Sequence, residues 1–180
     1  MIDKQTENVA TESQGSDTRE RILVIKLSAL GDVVLAMGPF AAIRAAHPDS
    51  HITVLTTKPY VDLMKASGFF DSIAIDRRPK LTQVREVLAL RRFLKNGRFD
   101  RVYDLQTSDR TGFYFKLFWP GPKPEWSGIA RGCSHPHANP ARDTMHTIDR
   151  VAEQLADAGI KEVPAPFLSG PDIDLERFGV

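Results

Sequence analysis

Residues 21–48, RILVIKLSALGDVVLAMGPFAAIRAAHP, decide the fold that this sequence predicts. The first seven of these residues are mostly β-branched residues and Leu, which is typical of a strand buried on both faces. After Asp32 the apolar residues recur at helical spacing. The stretch therefore predicts a strand over 21–27, a tight turn, and a helix over 32–46.

Asp32 lies where the predicted helix begins, at the carboxyl end of the first strand. Ligands of open α/β sheets bind at that edge of the sheet, and a helix N-terminus stabilises a carboxylate. The residues alone leave two interpretations open. Asp32 is a helix N-cap, a position that Asp commonly fills, or it is a base that faces a ligand and accepts a proton late in a reaction.

Strands and helices alternate along the rest of the chain. The further predicted strands are 51–56, 71–76, 100–105 and a short one near 126–130, and the further predicted helices are 59–67, 82–96, 109–118 and 144–158. This alternation predicts an α/β fold, a Rossmann-like parallel sheet with helices on both faces. A loop rich in His, Pro and Asn is expected over 131–142, and Gly159 is the predicted C-cap of the last helix.

Composition fits one α/β domain over residues 21–160. The chain has 180 residues, of which 42% are hydrophobic, enough for a sizeable core. Residues 1–20 are polar and lack a signal-peptide pattern, so we expect a disordered extension there. The Pro-rich residues 161–180 predict a linker. No apolar run reaches the ~18 residues of a membrane span, and the single cysteine, Cys133, excludes an intramolecular disulfide and favours a cytoplasmic location.

Basic residues are concentrated in one segment, although the net charge of the whole chain is only +1. Residues 77–101 contain nine basic and two acidic side chains. Part of this charge belongs to the solvated face of the helix predicted over 82–96. Arg77, Arg78 and Lys80 differ, because they directly follow a strand and are expected at the ligand-binding edge, where guanidinium and ammonium groups suit phosphates or carboxylates.

Polar side chains also follow the fourth predicted strand. Asp104 and Gln106 are two residues apart, so they face the same side of a strand. Helix capping explains the Thr-Ser-Asp run that follows, but it explains Gln106 less well. Further along, His146 and Arg150 are four residues apart and share a helix face. They either bind a ligand or hydrogen-bond to loop backbone.

The loop that contains Cys133, His135 and His137, together with His146, invites a metal hypothesis. The Cys-x-His-x-His spacing is not a common zinc spacing, so we expect no metal and favour a loop that shapes a substrate cleft. The sequence has no GxGxxG, which weakens a dehydrogenase hypothesis, and no Walker A motif, GxSxG elbow or zinc-finger spacing.

Three motifs, in this order, resemble glycosyltransferase family 9, the heptosyltransferases. They are Lys26-Leu-Ser28-Ala-Leu-Gly31-Asp32, the Asp104-Leu-Gln106 strand end, and His146-x-x-Asp149-Arg150. The resemblance covers about residues 21–160. It implies the N-terminal, acceptor-binding domain of the two-Rossmann-domain fold called GT-B, with the donor site in a C-terminal domain that these residues do not include.

The resemblance also implies a reaction. Such an enzyme transfers heptose from ADP-heptose to the inner core of lipopolysaccharide with inversion, and it needs neither a metal nor another cofactor. Asp32 would be the base. The residues implied in substrate binding are Lys26, Ser28, Gly31, Arg77, Arg78, Lys80, Asp104, Gln106, His146 and Arg150. The implied acceptor resembles Kdo–lipid A, with peripheral contact at the cytoplasmic face of the inner membrane, and no nucleic acid is involved.

Full members of that family are about twice as long as this chain, as two Rossmann-like domains require. One half alone cannot hold donor and acceptor together, so we expect no appreciable transferase activity from these 180 residues. Two alternatives remain open from the sequence. One is a non-catalytic module that binds an acidic glycan or glycolipid, and the other is a nucleotide-binding Rossmann protein of another kind, such as a reductase.

Overall fold

A computed structural model describes residues 18–166, which contain a six-stranded sheet whose strands are all parallel. The strands are β1 (Arg21–Ile25), β2 (His51–Thr56), β3 (Ser72–Ile75), β4 (Arg101–Asp104), β5 (Glu125–Gly128) and β6 (His135–Pro136). Their order across the sheet is β3-β2-β1-β4-β5-β6. This is the strand order of dinucleotide-binding Rossmann sheets, and it confirms the predicted fold class.

Six α-helices cover the two faces of this sheet. They are α1 (Leu30–Leu35), α2 (Met37–Ala46), α3 (Val61–Ser67), α4 (Val84–Asn96), α5 (Asp109–Lys116) and α6 (Thr147–Asp157), with short 3-10 turns at Lys58–Tyr60 and Arg142–Thr144. None of the helices within residues 18–166 has the length and the apolar composition that a bilayer span requires.

Two apolar cores flank the sheet, because successive side chains of a strand point to opposite faces. In β1, Ile22 and Val24 pack with α1, α2, α3 and α6, whereas Leu23 and Ile25 pack with α4 and α5. All four side chains are fully buried. β1 is therefore buried on both faces, as the sequence predicted.

The single helix predicted over 32–46 is wrong, because the chain forms α1 and α2 with a break at Ala36. Pro39 explains the break. In one continuous helix its missing N–H would leave a carbonyl one turn earlier without a partner. A new helix that begins at Met37 places Pro39 in the first turn, where no intrahelical N–H donor is needed.

Smaller differences concern the carboxyl-terminal part of the sheet. The loop predicted over 131–142 contains the edge strand β6, which pairs with β5 and is too short to show periodicity in the sequence. The predicted C-cap Gly159 is wrong by one position, because the C-cap of α6 is Ala158, and Gly159, with a φ of 95°, is the residue that follows it.

The predicted terminal segments lie largely outside the described residues. Of the extension predicted over 1–20, the structure describes residues 18–20, and of the linker predicted over 161–180 it describes residues 161–166. Glu20 is part of the folded unit, because its carboxylate contacts His47 Nδ1 at 3.0 Å and accepts the Ser50 hydroxyl at 2.8 Å.

Candidate functional site at the switch point of the sheet

The sheet has one topological switch point, between β1 and β4, where the strand order changes direction. Ligands of such sheets bind in the crevice outside the carboxyl ends of these strands. Ile25 and Asp104 are register partners there, so the residues that follow them emerge side by side. This edge therefore brings together four of the site residues that the sequence predicted, namely Lys26, Asp32, Asp104 and Gln106.

Lys26 directly follows β1, and it is only 4% exposed. Its Nζ lies 3.3 Å from the Leu105 carbonyl oxygen and 4.0 Å from Asp32 Oδ2. Burial lowers the pKa of the Lys26 ammonium, and nearby Arg150 lowers it further, whereas the carboxylates of Asp32 and Asp104 act in the opposite direction. The crevice therefore contains a buried amine whose nitrogen lies 4.0 Å from the Asp32 carboxylate.

Asp32 is in the first turn of α1, and the N-cap interpretation of this residue is wrong. The N-cap position belongs to Ala29, whose side chain offers no acceptor. The Asp32 side chain is 44% exposed, so a ligand in the crevice can reach its carboxylate. Gly31 next to it is exposed, and a Cβ added there would meet no atom within 4 Å. The turn therefore leaves open space beside the carboxylate.

Gln106 holds the turn after β1 against the end of β4. Its Oε1 accepts hydrogen bonds from Leu27 N at 2.8 Å and from Ser28 N at 3.0 Å. On the other side of the turn, the Thr57 hydroxyl donates to the Leu27 carbonyl at 2.9 Å. These bonds explain why a Gln follows β4, and they make Gln106 a positioning residue for the Ser28 turn.

Asp104 is fully buried and does not line the crevice surface. Its Oδ1 accepts from Gln106 N at 3.1 Å and from Thr107 N at 3.0 Å. Burial raises the pKa of this carboxyl to about 6. Asp104 thus acts on the site through the loop that carries Gln106, and the prediction that it contacts substrate gains no support from its placement.

Arg78 joins the basic cluster to the β1 turn. Its Nη2 donates to Ser28 Oγ, and its backbone has a φ of 51°, which is uncommon for a residue other than glycine. The buried Asp76 carboxylate accepts from Arg78 N at 2.7 Å, and Arg110 Nη1 donates to the Pro79 carbonyl at 3.1 Å. These two bonds hold the segment that presents the guanidinium to the crevice.

The other basic residues of the cluster are more distant from the turn. Arg77 is 80% exposed and extends along α4, where its Nη1 lies 3.9 Å from Glu86 Oε2. Lys80 is exposed, and its backbone N–H donates to Gln83 Oε1 at 2.8 Å. The structure therefore brings Arg78 to the turn after β1, whereas Arg77 and Lys80 are exposed on the segment between β3 and α4 and show no contact with that turn.

His146 and Arg150 belong to the start of α6, as predicted. His146 is the N-cap, and its Nδ1 accepts from Ile148 N at 3.3 Å. Of the two interpretations, backbone hydrogen bonding is the one observed for His146. Arg150 is half-buried and lies near enough to Lys26 to lower the pKa of its ammonium. Arg150 therefore adds a second cation to the crevice.

Residues 18–166 contain no group of three or more side chains arranged to hold a metal ion. Cys133 Sγ contacts the Gly128 carbonyl oxygen at 3.7 Å, His135 Nδ1 contacts the Ser134 hydroxyl at 3.0 Å, and the buried His137 lies 3.4 Å from a Glu153 oxygen. These side chains of the 131–142 loop therefore have separate surroundings.

Sequence reasoning missed four supporting residues, namely Thr57, Asp76, Arg110 and Gln154. Asp76 and Thr57 each follow a strand directly, and this position at the ligand-binding edge of the sheet could have identified them from the sequence. Gln154 is fully buried on the apolar face of α6, where it donates to the Asp104 carbonyl at 3.0 Å. Gln154 could have been identified from the sequence, because it is a polar residue at an otherwise apolar helix position. Nothing in the local pattern around Arg110 indicated its contact with Pro79.

No family model matches the chain, and no curated protein sequence matches it. Solved structures do. A family 9 glycosyltransferase from Veillonella parvula DSM 2008 superposes with a TM-score of 0.69 at 21% identity, over 89% of this chain and 50% of that one. Residues 18–166 therefore share the fold of about half of that family 9 glycosyltransferase. This finding confirms the predicted resemblance at the level of the fold.

Two E. coli proteins share this fold as well. The heptosyltransferase WaaC, solved with ADP-2-deoxy-2-fluoro heptose, gives a TM-score of 0.58 at 17% identity, over 88% of this chain and 53% of that one. The ADP-heptose lps heptosyltransferase II gives a TM-score of 0.65 at 16% identity, over 84% of this chain and 47% of that one. The chain thus spans about half the length of the solved structures that it matches.

Proposed function

We propose that this chain is the acceptor-binding half of an inverting glycosyltransferase of the family 9 type. The observation that carries the proposal is one crevice at the switch point, where the half-exposed Asp32 carboxylate lies 4.0 Å from the Lys26 ammonium nitrogen. The Arg78 guanidinium contacts the same turn through Ser28. A base and anion-binding groups on one turn suit a hydroxyl acceptor that carries acidic groups.

In the proposed reaction, a hydroxyl oxygen of the acceptor attacks the anomeric carbon of a nucleotide-linked sugar. The bond from that carbon to the phosphate oxygen breaks, and the nucleoside diphosphate leaves with the electron pair. Asp32 takes the hydroxyl proton as the new bond forms, when that proton has become acidic. The attack from the face opposite to the leaving group inverts the anomeric centre, and no step requires a metal.

Lys26 has the role of a positioning residue in this proposal. Its buried ammonium fixes the Asp32 carboxylate from the protein side, because its nitrogen is also held by the Leu105 carbonyl at 3.3 Å. Gln106 holds the turn that contains Ser28 and leads into α1, where Asp32 lies. Gly31 leaves room for a sugar ring beside the carboxylate.

We propose an anionic glycolipid as the acceptor, of the Kdo–lipid A kind, and ADP-heptose as the donor. Arg78 at the crevice, together with the exposed Arg77 and Lys80 of the same segment, would receive the phosphate or carboxylate groups of the acceptor. The donor would bind the part of such an enzyme that these 180 residues do not span. The chain would then act in the cytoplasm, at the inner face of the inner membrane.

Calorimetric titration of the chain tests this proposal, with a soluble Kdo–lipid A mimic in one arm and ADP-heptose in the other. We expect binding of the mimic, weakened by about tenfold or more in Arg78→Ala because a charge-assisted contact is lost. Lys116→Ala, a change at an exposed cation of α5, is the matched control. Binding of the nucleotide sugar without the mimic would refute the acceptor assignment and favour a nucleotide-binding protein.

A further inference from the structure

The Arg78 side chain reaches across the sheet to its partner. Arg78 belongs to the segment that follows β3, and β2 lies between β3 and β1. The guanidinium therefore crosses the end of β2 before its Nη2 donates to Ser28 Oγ. Arg78 is exposed, and a long exposed side chain has many rotamers. The contact with Ser28 therefore depends on where the backbone of Arg78 is held.

The backbone of Arg78 has an unfavourable conformation. Its φ of 51° lies in the left-handed region that residues other than glycine rarely occupy. Such a conformation persists only where the surrounding structure fixes it. One bond that fixes it runs from Arg78 N to Asp76 Oδ1, at 2.7 Å. Whatever holds the Asp76 carboxylate therefore also holds the backbone of Arg78.

Tyr114 of α5 binds the other oxygen of that carboxylate. The Tyr114 hydroxyl donates to Asp76 Oδ2 at 2.6 Å, and both residues are buried. Burial, and after it the bond to Asp76, raise the pKa of the Tyr114 phenol far above its usual value. The hydroxyl therefore keeps its proton and remains a donor at neutral pH. Each oxygen of Asp76 thus has its own donor, one from α5 and one from Arg78.

Arg110 supplies a second bond between α5 and the same segment. Its Nη1 donates to the carbonyl of Pro79, the residue directly after Arg78, at 3.1 Å. Arg110 and Tyr114 are four residues apart in α5, so they share one face of the helix. This face of α5 therefore holds the chain on both sides of Arg78.

α5 also begins next to the second side chain that holds Ser28. Ser28 N donates to Gln106 Oε1 at 3.0 Å, and Gln106 comes two residues before Ser108, the N-cap of α5. A capping box between Ser108 and Thr111 fixes this start of the helix. The amide and the hydroxyl of Ser28 are thus bound by two side chains, Gln106 and Arg78, whose segments are both attached to α5.

We infer that Tyr114 and Arg110 are positioning residues of the candidate site, which set its affinity for the acidic part of the sugar acceptor by holding the Arg78 guanidinium at the Ser28 turn. Tyr114 acts through Asp76, and Arg110 acts through Pro79. This role rests on the proposed function, in which Arg78 receives a phosphate or carboxylate group of the sugar acceptor.

Calorimetric titration with the soluble Kdo–lipid A mimic tests this role in Tyr114→Phe and Arg110→Ala. If the guanidinium then occupies the turn in only about a third to a tenth of the molecules, the affinity falls by about threefold to tenfold, which is the loss we expect. Arg110→Lys keeps a donor and should recover part of it. Tyr103→Phe is the matched control, because it removes another buried hydroxyl, which contacts His47 Nε2 at 2.8 Å. This control should bind like the unaltered chain.

A double-mutant cycle with Arg78→Ala separates positioning from a general loss of structure. Once Arg78 is replaced, Tyr114→Phe has no guanidinium to displace, so it should change the affinity by less than about twofold. An equal effect of Tyr114→Phe in both backgrounds would overturn the inference, because Tyr114 would then act by another route. Circular dichroism establishes that each variant is folded.

Amide hydrogen exchange followed by NMR reports on Arg78 without any sugar acceptor. The Arg78 amide donates to Asp76, so it should exchange faster in Tyr114→Phe and in Arg110→Ala than in the unaltered chain. Tyr103→Phe should leave its exchange unchanged. Unchanged exchange in both α5 variants would overturn the inference, and so would mimic affinities equal to that of Tyr103→Phe.

The proposed function and the role of α5 fail in different ways. If the unaltered chain does not bind the mimic, the proposed function is refuted, while faster exchange of the Arg78 amide in the two α5 variants would still support the positioning of Arg78 by α5. If the unaltered chain binds and Arg78→Ala weakens binding, but the α5 variants do not, only the role of α5 is refuted.

Discussion

Asp104→Asn is expected to change how the stability of this chain depends on pH. Asp104 is fully buried at the end of β4, and burial raises its pKa from 3.8 to about 6. Each pKa unit corresponds to about 1.4 kcal/mol between the two protonation states. Ionisation of Asp104 therefore costs the folded chain about 3 kcal/mol relative to the unfolded chain.

The sign of the effect follows from proton binding. Between about pH 4 and pH 6 the folded chain retains a proton that the unfolded chain has released, so the free energy of unfolding falls as the pH rises across this window. The Asn side chain keeps an oxygen that can accept from the Gln106 and Thr107 amides but does not ionise. The difference in unfolding free energy, variant minus unaltered chain, should therefore increase by about 2–2.5 kcal/mol from pH 4 to pH 7.

Urea unfolding followed by tryptophan fluorescence at several pH values between 4 and 8 measures this difference. Asp157→Asn is the control, because the Asp157 carboxylate at the end of α6 is exposed and solvated in both states. Its difference from the unaltered chain should not vary with pH. If the Asp104→Asn difference is equally constant from pH 4 to pH 8, the burial argument for Asp104 is wrong.

Three further predictions concern the turn after β1, the packing of α2 and the stability of α5. Gln106→Ala removes the acceptor of two partly buried amides and should lower the free energy of unfolding by about 1–3 kcal/mol in urea. Gly38→Ala would place a Cβ 2.1 Å from the Pro164 carbonyl oxygen, so the segment around Pro164 should detach and tryptic cleavage after Lys161 should accelerate. Gly112→Ala, whose Cβ would meet no atom within 4 Å, should instead stabilise α5 by about 0.5–1 kcal/mol.

The Gln106→Ala and Gly38→Ala predictions each have a result that would contradict them. A Gln106→Glu variant keeps an acceptor oxygen at the same position, so it should retain more stability than Gln106→Ala; equal losses would mean that the amide bonds contribute little. Unchanged cleavage in Gly38→Ala would show that the contact with Pro164 does not hold the segment.

The parts of the fold that could be predicted are those with strong local patterns. The apolar run of β1 predicted a strand buried on both faces, and its two faces are indeed buried in separate cores. The edge strand β6 could not be predicted, since two residues carry no periodicity and Pro136 is tolerated only at an edge. The break before Pro39 was readable from its missing N–H, but the close approach of Pro164 to Gly38 is a tertiary contact.

The candidate site likewise contains residues whose position the sequence predicted and residues whose contacts only the structure shows. Motif position placed Lys26, Asp32 and Gln106 at the switch point, because the carboxyl ends of β1 and β4 meet there. Which side chains face the crevice was not readable, since that depends on the turn geometry. Asp104 is buried beneath the loop, while Arg78 reaches the turn because Asp76 accepts from its backbone N–H.

The most direct test of the account is a crystal structure of this chain with a soluble Kdo–lipid A mimic. The account predicts an acceptor hydroxyl within about 2.6–3.2 Å of an Asp32 carboxylate oxygen, and an acidic group of the mimic on the Arg78 guanidinium. A mimic bound elsewhere on the chain, with the Asp32 crevice holding only solvent, would contradict the assignment of this crevice as the acceptor site.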